Sequence, residues 1–183
     1  GFSGDKIDDR PRSRGFIDPH AYLQISKADV ILAFFGANET WDDQPEEYAS
    51  KLTNWINETQ AKKYNGKSPP VIVLLSPIAH ENHENPNLPD GVQQNTRLKR
   101  MSEATAKVAK DKELRFVDLY KASLDLYSKK KDLLTINGIH LTSEGNDHLA
   151  RIIHQALFAR DAPVDHPNLE KTKEAVLDKN WHW

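Results

Sequence analysis

Three residues of this 183-residue chain have the type and setting to move a proton or to hold a developing negative charge. His140, in Asn137-Gly138-Ile139-His140, stands in a loop just ahead of a strongly amphipathic stretch. Histidine, with an unperturbed pKa of about 6.5, is the side chain best suited to proton transfer near neutral pH. Asn38, in Phe35-Gly36-Ala37-Asn38, closes an apolar run and offers an amide N–H to an oxyanion, and Gly4 offers a backbone N–H with no side chain in front of it. Such a set suits acyl transfer, in which a base takes the proton of an attacking nucleophile while donors hold the carbonyl oxygen. The nucleophile is the missing part. There is no cysteine, Ser76 precedes a proline, and Ser3 lies in the starting loop, so no serine has the strand-to-helix elbow such a nucleophile needs. His80 and His83, at i, i+3 in a loop without a third ligand, make a poor metal site; neither a metal nor a cofactor is expected.

The elements that must position these residues follow from periodicity. Ala28 to Phe35 is apolar without alternation, which predicts a strand covered on both faces in a parallel sheet, ended by Gly36-Ala37-Asn38. Tyr48, Leu52, Trp55, Ile56 and Thr59 recur at helical spacing, Val71 to Leu75 makes a second strand, and Ser76-Pro77 closes it. The stretch from Ile78 to Asn95 has no period and reads as a long loop bordering the site. Leu98, Met101, Thr105 and Val108 mark another helix, Leu114 to Leu119 a third strand, and Ala122 to Tyr127 a short helix. Leu149, Ile152, Ile153, Ala156 and Leu157 form the clearest apolar stripe, on a helix that starts near Thr142. Strands alternating with helices give an α/β fold with a parallel sheet. Ligands bind beyond the carboxyl ends of the strands in such sheets, where Asn38, the histidine-bearing loop and His140 can converge.

Composition sets the outer limits. With 38% apolar and 28% charged residues, the chain has the makings of one core. A net charge of -2 with scattered basic residues gives no footprint for nucleic acid, and no apolar run approaches the ~20 residues of a transmembrane helix. The absence of cysteine does not fix a compartment. The chain opens on Gly1 in a loop, and the expectation is that its start, with any signal peptide, is missing.

Gly1-Phe2-Ser3-Gly4-Asp5, Phe35-Gly36-Ala37-Asn38-Glu39 and Asn137-Gly138-Ile139-His140-Leu141-Thr142 resemble, in order and spacing, the second, third and fifth conserved segments of the SGNH (GDSL-like) hydrolases. The resemblance covers the chain to about Phe158. It implies a three-layer α/β/α sandwich of flavodoxin-like type and a serine ester hydrolase acting on a small-molecule, glycan or lipid acyl ester. By position it makes Gly4 and Asn38 the oxyanion-hole donors and His140 the general base. It also implies a nucleophilic serine in a Gly-Asp-Ser segment upstream of residue 1, with the first two strands of a five-strand sheet. Residues 1–160 then form the hydrolase domain and 161–183 a truncated, helical C-terminal extension. One position departs from the family pattern: where an aspartate is usual, three residues before the histidine, this chain has Asn137. Three readings stay open, an orienting amide beside His140, an acid supplied from elsewhere, or a weakened enzyme. A non-catalytic binding module on the same fold is the alternative from another class.

Each of these residues also has a plainer reading. Asn38 can tie the turn after its strand, Gly4 can be a turn glycine, and Asn137-Gly138 is a turn signal by itself. His80 and His83 read as solvent-facing loop residues. Trp181 and Trp183 read as packing against a missing segment, and Lys129-Lys130-Lys131 as a solvated turn.

Overall fold

In the computed structural model, residues 4–9, 17–161 and 167–181 are described. Three parallel strands, β1 (Val30–Phe34), β2 (Val71–Leu75) and β3 (Arg115–Val117), form a sheet in the order β1-β2-β3. Val30 to Phe34 pair in register with Val71 to Leu75, and Val73 to Leu75 pair with Arg115 to Val117. Helices α1 (Pro19–Ser26), α2 (Pro45–Gln60), α3 (Val92–Asp111), α4 (Leu119–Lys129), α5 (Ser143–Phe158) and α6 (Leu169–Trp181) complete the chain. No helix among the described residues is long and apolar enough to cross a membrane.

Alternation along the strands sends side chains to two cores. On one face Ala33, Ile72 and Leu74 meet Tyr48, Leu52 and Ile56 of α2 and Met101, Val108 and Ala109 of α3. These are the positions at helical spacing in the sequence, and burying each such aliphatic side chain stabilises the fold by about 1.5–3 kcal/mol. On the other face Val73, Leu75, Val117 and Leu119 meet Leu149, Ile152, Ile153 and Leu157 of α5. Helices thus cover both faces of a parallel sheet, as the sequence implies.

The first strand corrects one expectation. Val30, Leu32 and Phe34 are 55%, 44% and 52% exposed, so β1 is covered on one face only. The stripe of α5 packs against β2 and β3, and none of the described residues extends that layer over β1. An apolar run without alternation shows that both faces of a strand tolerate burial; what lies over each face is a matter of the tertiary arrangement. The short helix α1, started by Asp18 accepting the His20 N–H and by Pro19 in its first turn, is a further element; it buries no residue, so no apolar period marks it in the sequence.

Candidate active site

His140 lies in a narrow hairpin between α4 and α5. Thr135 bridges Leu141, the Ile136 N–H donates to the His140 carbonyl at 2.7 Å, and the Thr142 N–H donates to the Leu134 carbonyl at 2.8 Å. Thr142 then caps α5, its hydroxyl accepting from the Gly145 N–H. At the hairpin tip, Asn137 Oδ1 lies 3.1 Å from the backbone N of His140 and 3.0 Å from its Nδ1. The backbone N–H can only donate, so the atom facing it is the amide oxygen. The same oxygen then accepts from Nδ1–H, which leaves the lone pair of His140 on Nε2, where a base needs it. The imidazole is exposed, open to an incoming group.

Asn38 begins a short 3-10 turn at the carboxyl end of β1. Its Nδ2 donates to the Asp5 carbonyl at 2.7 Å, which sets it beside Gly4 and keeps a second N–H for another acceptor. Gly4 has φ +88°, a conformation that side chains disfavour. Glu39, 7% exposed, joins the two segments: its carboxylate accepts from the Ile7 N–H and the Gly36 N–H, both at 3.0 Å. Glu39 follows Asn38 directly, but nothing in its sequence context marks it for this role. Its partner Ile7 is 32 residues away, a contact that no local pattern announces.

A groove of about 470 Å³ at the carboxyl ends of β1 and β2 is lined by Phe35, Ala37, Pro77, Leu141 and Asn146; Ala37 and Leu141 adjoin Asn38 and His140 in the chain, but neither of these two, nor Gly4 or Asn137, is part of its lining. Ser76 belongs to the frame of this site and has no freedom to attack: it is fully buried, donates to the Pro77 carbonyl and accepts from the Tyr120 N–H. Ser3 lies outside the described residues, as does Trp183, while Trp181 is exposed.

The histidines of the long loop are not solvent-facing. His80 is 6% exposed and wedged between Gly91 and Gly138, and His83 turns its Nε2 onto the Thr135 hydroxyl at 2.8 Å. Both point into the hairpin that carries His140, because the loop is pinned there by Asn95, which bonds both the N–H and the carbonyl of His80. Burial lowers the His80 pKa, and its Nδ1 has no hydrogen-bond partner. No group of three metal-ligating side chains is placed to hold an ion among the described residues.

With this geometry in place, residues 1–148 match the model of the GDSL-like lipase/acylhydrolase family. The chain belongs to that family. Its fold is also that of solved esterases. An acetylxylan esterase from Geobacillus stearothermophilus aligns over 85% of this chain and 69% of its own, with a TM-score of 0.62 at 20% identity. A lipase/acylhydrolase from Enterococcus faecalis aligns over 89% of this chain and 75% of its own, with a TM-score of 0.58 at 24% identity. Catalytic mutants of the Geobacillus enzyme, with a serine, an aspartate or a histidine replaced by alanine, are among the similar structures. No curated protein sequence matches the chain.

Proposed function

We propose that this member of the GDSL-like family supplies the base and the oxyanion donors of a serine ester hydrolase whose nucleophile lies on a segment outside these 183 residues. The observation that carries the reading is the Asn137 Oδ1 contact to both N–H groups of His140, which holds the imidazole with Nε2 free. The serine hydroxyl attacks the acyl carbonyl and passes its proton to Nε2 of His140. Gly4 N–H and the second N–H of Asn38 receive the oxyanion; collapse expels the alcohol, which takes the proton from His140. Water, deprotonated by His140, adds to the acyl carbonyl; the bond to the serine oxygen then breaks, that oxygen takes the proton back from His140, and the acid leaves. Asn137 acts as the orienting amide. The binding-module alternative draws on the replacement of the usual aspartate, whereas an amide that orients the imidazole favours retained catalysis.

Acetylated carbohydrate, the substrate of the Geobacillus neighbour, and short-chain chromogenic esters are the first substrates to assay. In the full-length protein, His140→Ala is expected to abolish turnover; activity within a few-fold of the parent refutes the assignment. The 183-residue chain alone is expected to be inactive, and turnover by it that survives replacement of Ser3 and Ser76 contradicts an external nucleophile.

A further inference from the structure

His140 sits on a hairpin of irregular backbone, and such a hairpin keeps a base in place only if its interior polar groups are held. The holding group is a buried acid from another part of the chain. Glu81, 5% exposed, accepts the Leu134 N–H on both oxygens, at 3.1 and 3.0 Å, and the Thr135 N–H at 2.7 Å. It also accepts the Thr135 hydroxyl at 2.6 Å. That hydroxyl has one proton, already directed at Glu81, so its oxygen must accept from its two other neighbours. These are the Gly138 N–H at 3.0 Å and His83 Nε2–H at 2.8 Å. The link is closed by the backbone, where the Glu81 N–H donates to the Gly138 carbonyl at 2.9 Å. Three consecutive contacts, Glu81 to Thr135, Thr135 to Gly138 and Gly138 back to Glu81, therefore fasten the residue beside Asn137.

We propose that Glu81 is a positioning residue for His140, acting through the Thr135 hydroxyl and the Gly138 peptide to fix the turn on which Asn137 orients the imidazole. This role rests on the reading of His140 as the base. A carboxylate suits the place because every partner is a donor; the amide of glutamine would turn N–H toward N–H and lose part of the set. The Thr135 hydroxyl is equally specific, since it both donates and accepts, and of the other small side chains only serine can do the same at that position.

The test uses the full-length protein with Glu81→Gln, Thr135→Val and Thr135→Ser, measuring ester turnover, active-site titre and hydrogen exchange. Glu81→Gln and Thr135→Val are expected to lower kcat per titrated site about ten- to a hundredfold with KM changed less than about twofold. Thr135→Ser is expected to stay within about threefold of the parent. In the two impaired variants the amides of Leu134, Thr135, Gly138 and His140 should exchange about tenfold faster or more, while those of Leu52, Ile72 and Leu74 keep their protection. Unchanged kcat in Glu81→Gln, with turnover lost in His140→Ala, overturns the role of Glu81 alone. Turnover surviving His140→Ala overturns the reading of the base and this role with it. Exchange that rises equally in the core and the hairpin also overturns it, because the acid is then a general support of the fold.

Discussion

Gly138→Ala puts the packing of the His140 hairpin to a quantitative test. Gly138 has φ +93°, and a Cβ there would lie 2.2 Å from Cε1 and 2.5 Å from Nε2 of His80. The backbone term, a non-glycine residue at positive φ, costs about 1–2 kcal/mol. The contact term is an overpacked interior site, about 1–3 kcal/mol. His80 has no easy retreat, because a Cβ on Gly91 at its other side would lie 2.7 Å from Nδ1; the ring fills the space between two glycine backbones. The two terms together predict a loss of about 2–5 kcal/mol, a large part of the ~5–15 kcal/mol by which domains are stable. Urea unfolding of the four proteins in the cycle of Gly138→Ala and His80→Ala separates them. In the His80→Ala background only the backbone term is left, so Gly138→Ala should cost about 1–3 kcal/mol less there. Equal costs in both backgrounds, or a loss under about 0.5 kcal/mol in the parent, show that the His80 ring does not fill the space over Gly138.

Other predictions follow from the same geometry. Asn137→Asp replaces a neutral acceptor on Nδ1–H by a charged one; the gain in a charge-assisted bond, about 1–1.5 kcal/mol, corresponds to roughly tenfold in kcat on a chromogenic ester, and unchanged or lower turnover contradicts the orienting role. Glu39→Gln leaves one of the Ile7 and Gly36 N–H groups facing an amide N–H, so the midpoint of urea unfolding should fall by the equivalent of about 1–3 kcal/mol. His80 is harder to protonate in the folded chain than in the unfolded one, because of its burial. Its contribution is therefore fully present above the unfolded value of about 6.5 and is lost as pH falls below that, toward the lowered folded value. Stability measured from pH 7.5 down to pH 5 should fall less steeply in His80→Ala than in the parent, and parallel curves count against this.

Much of the site was legible because its key contacts are local. The bond from His140 to Asn137 spans three residues and belongs to an Asn-Gly turn, so its chance of forming is written in adjacent residues. The helices α2, α3 and α5 were equally open to reading, since their apolar positions repeat at the helical period and an amphipathic face has to be buried somewhere. The cap of α5 at Thr142 belongs with them. What no local pattern could supply were the acids that tie these pieces together. Glu81 meets Leu134 across 53 residues and Glu39 meets Ile7 across 32; in the sequence each is one acidic residue among many. An acid in a mostly apolar stretch, as Glu81 is after Pro77-Ile78-Ala79, is a faint sign of burial at best.

Periodicity, turn chemistry and short-range hydrogen bonds were enough to mark the three strands, helices α2 to α5, the parallel sheet and the family, but not the short helix α1. Tertiary structure decided where the loop histidines point, which face of β1 is covered, and how the His140 hairpin is held. Those outcomes depend on which distant groups occupy the space and donate to a buried oxygen. His80 shows the difference: in the sequence it is a loop residue among polar neighbours, and in the fold it fills the gap between Gly91 and Gly138.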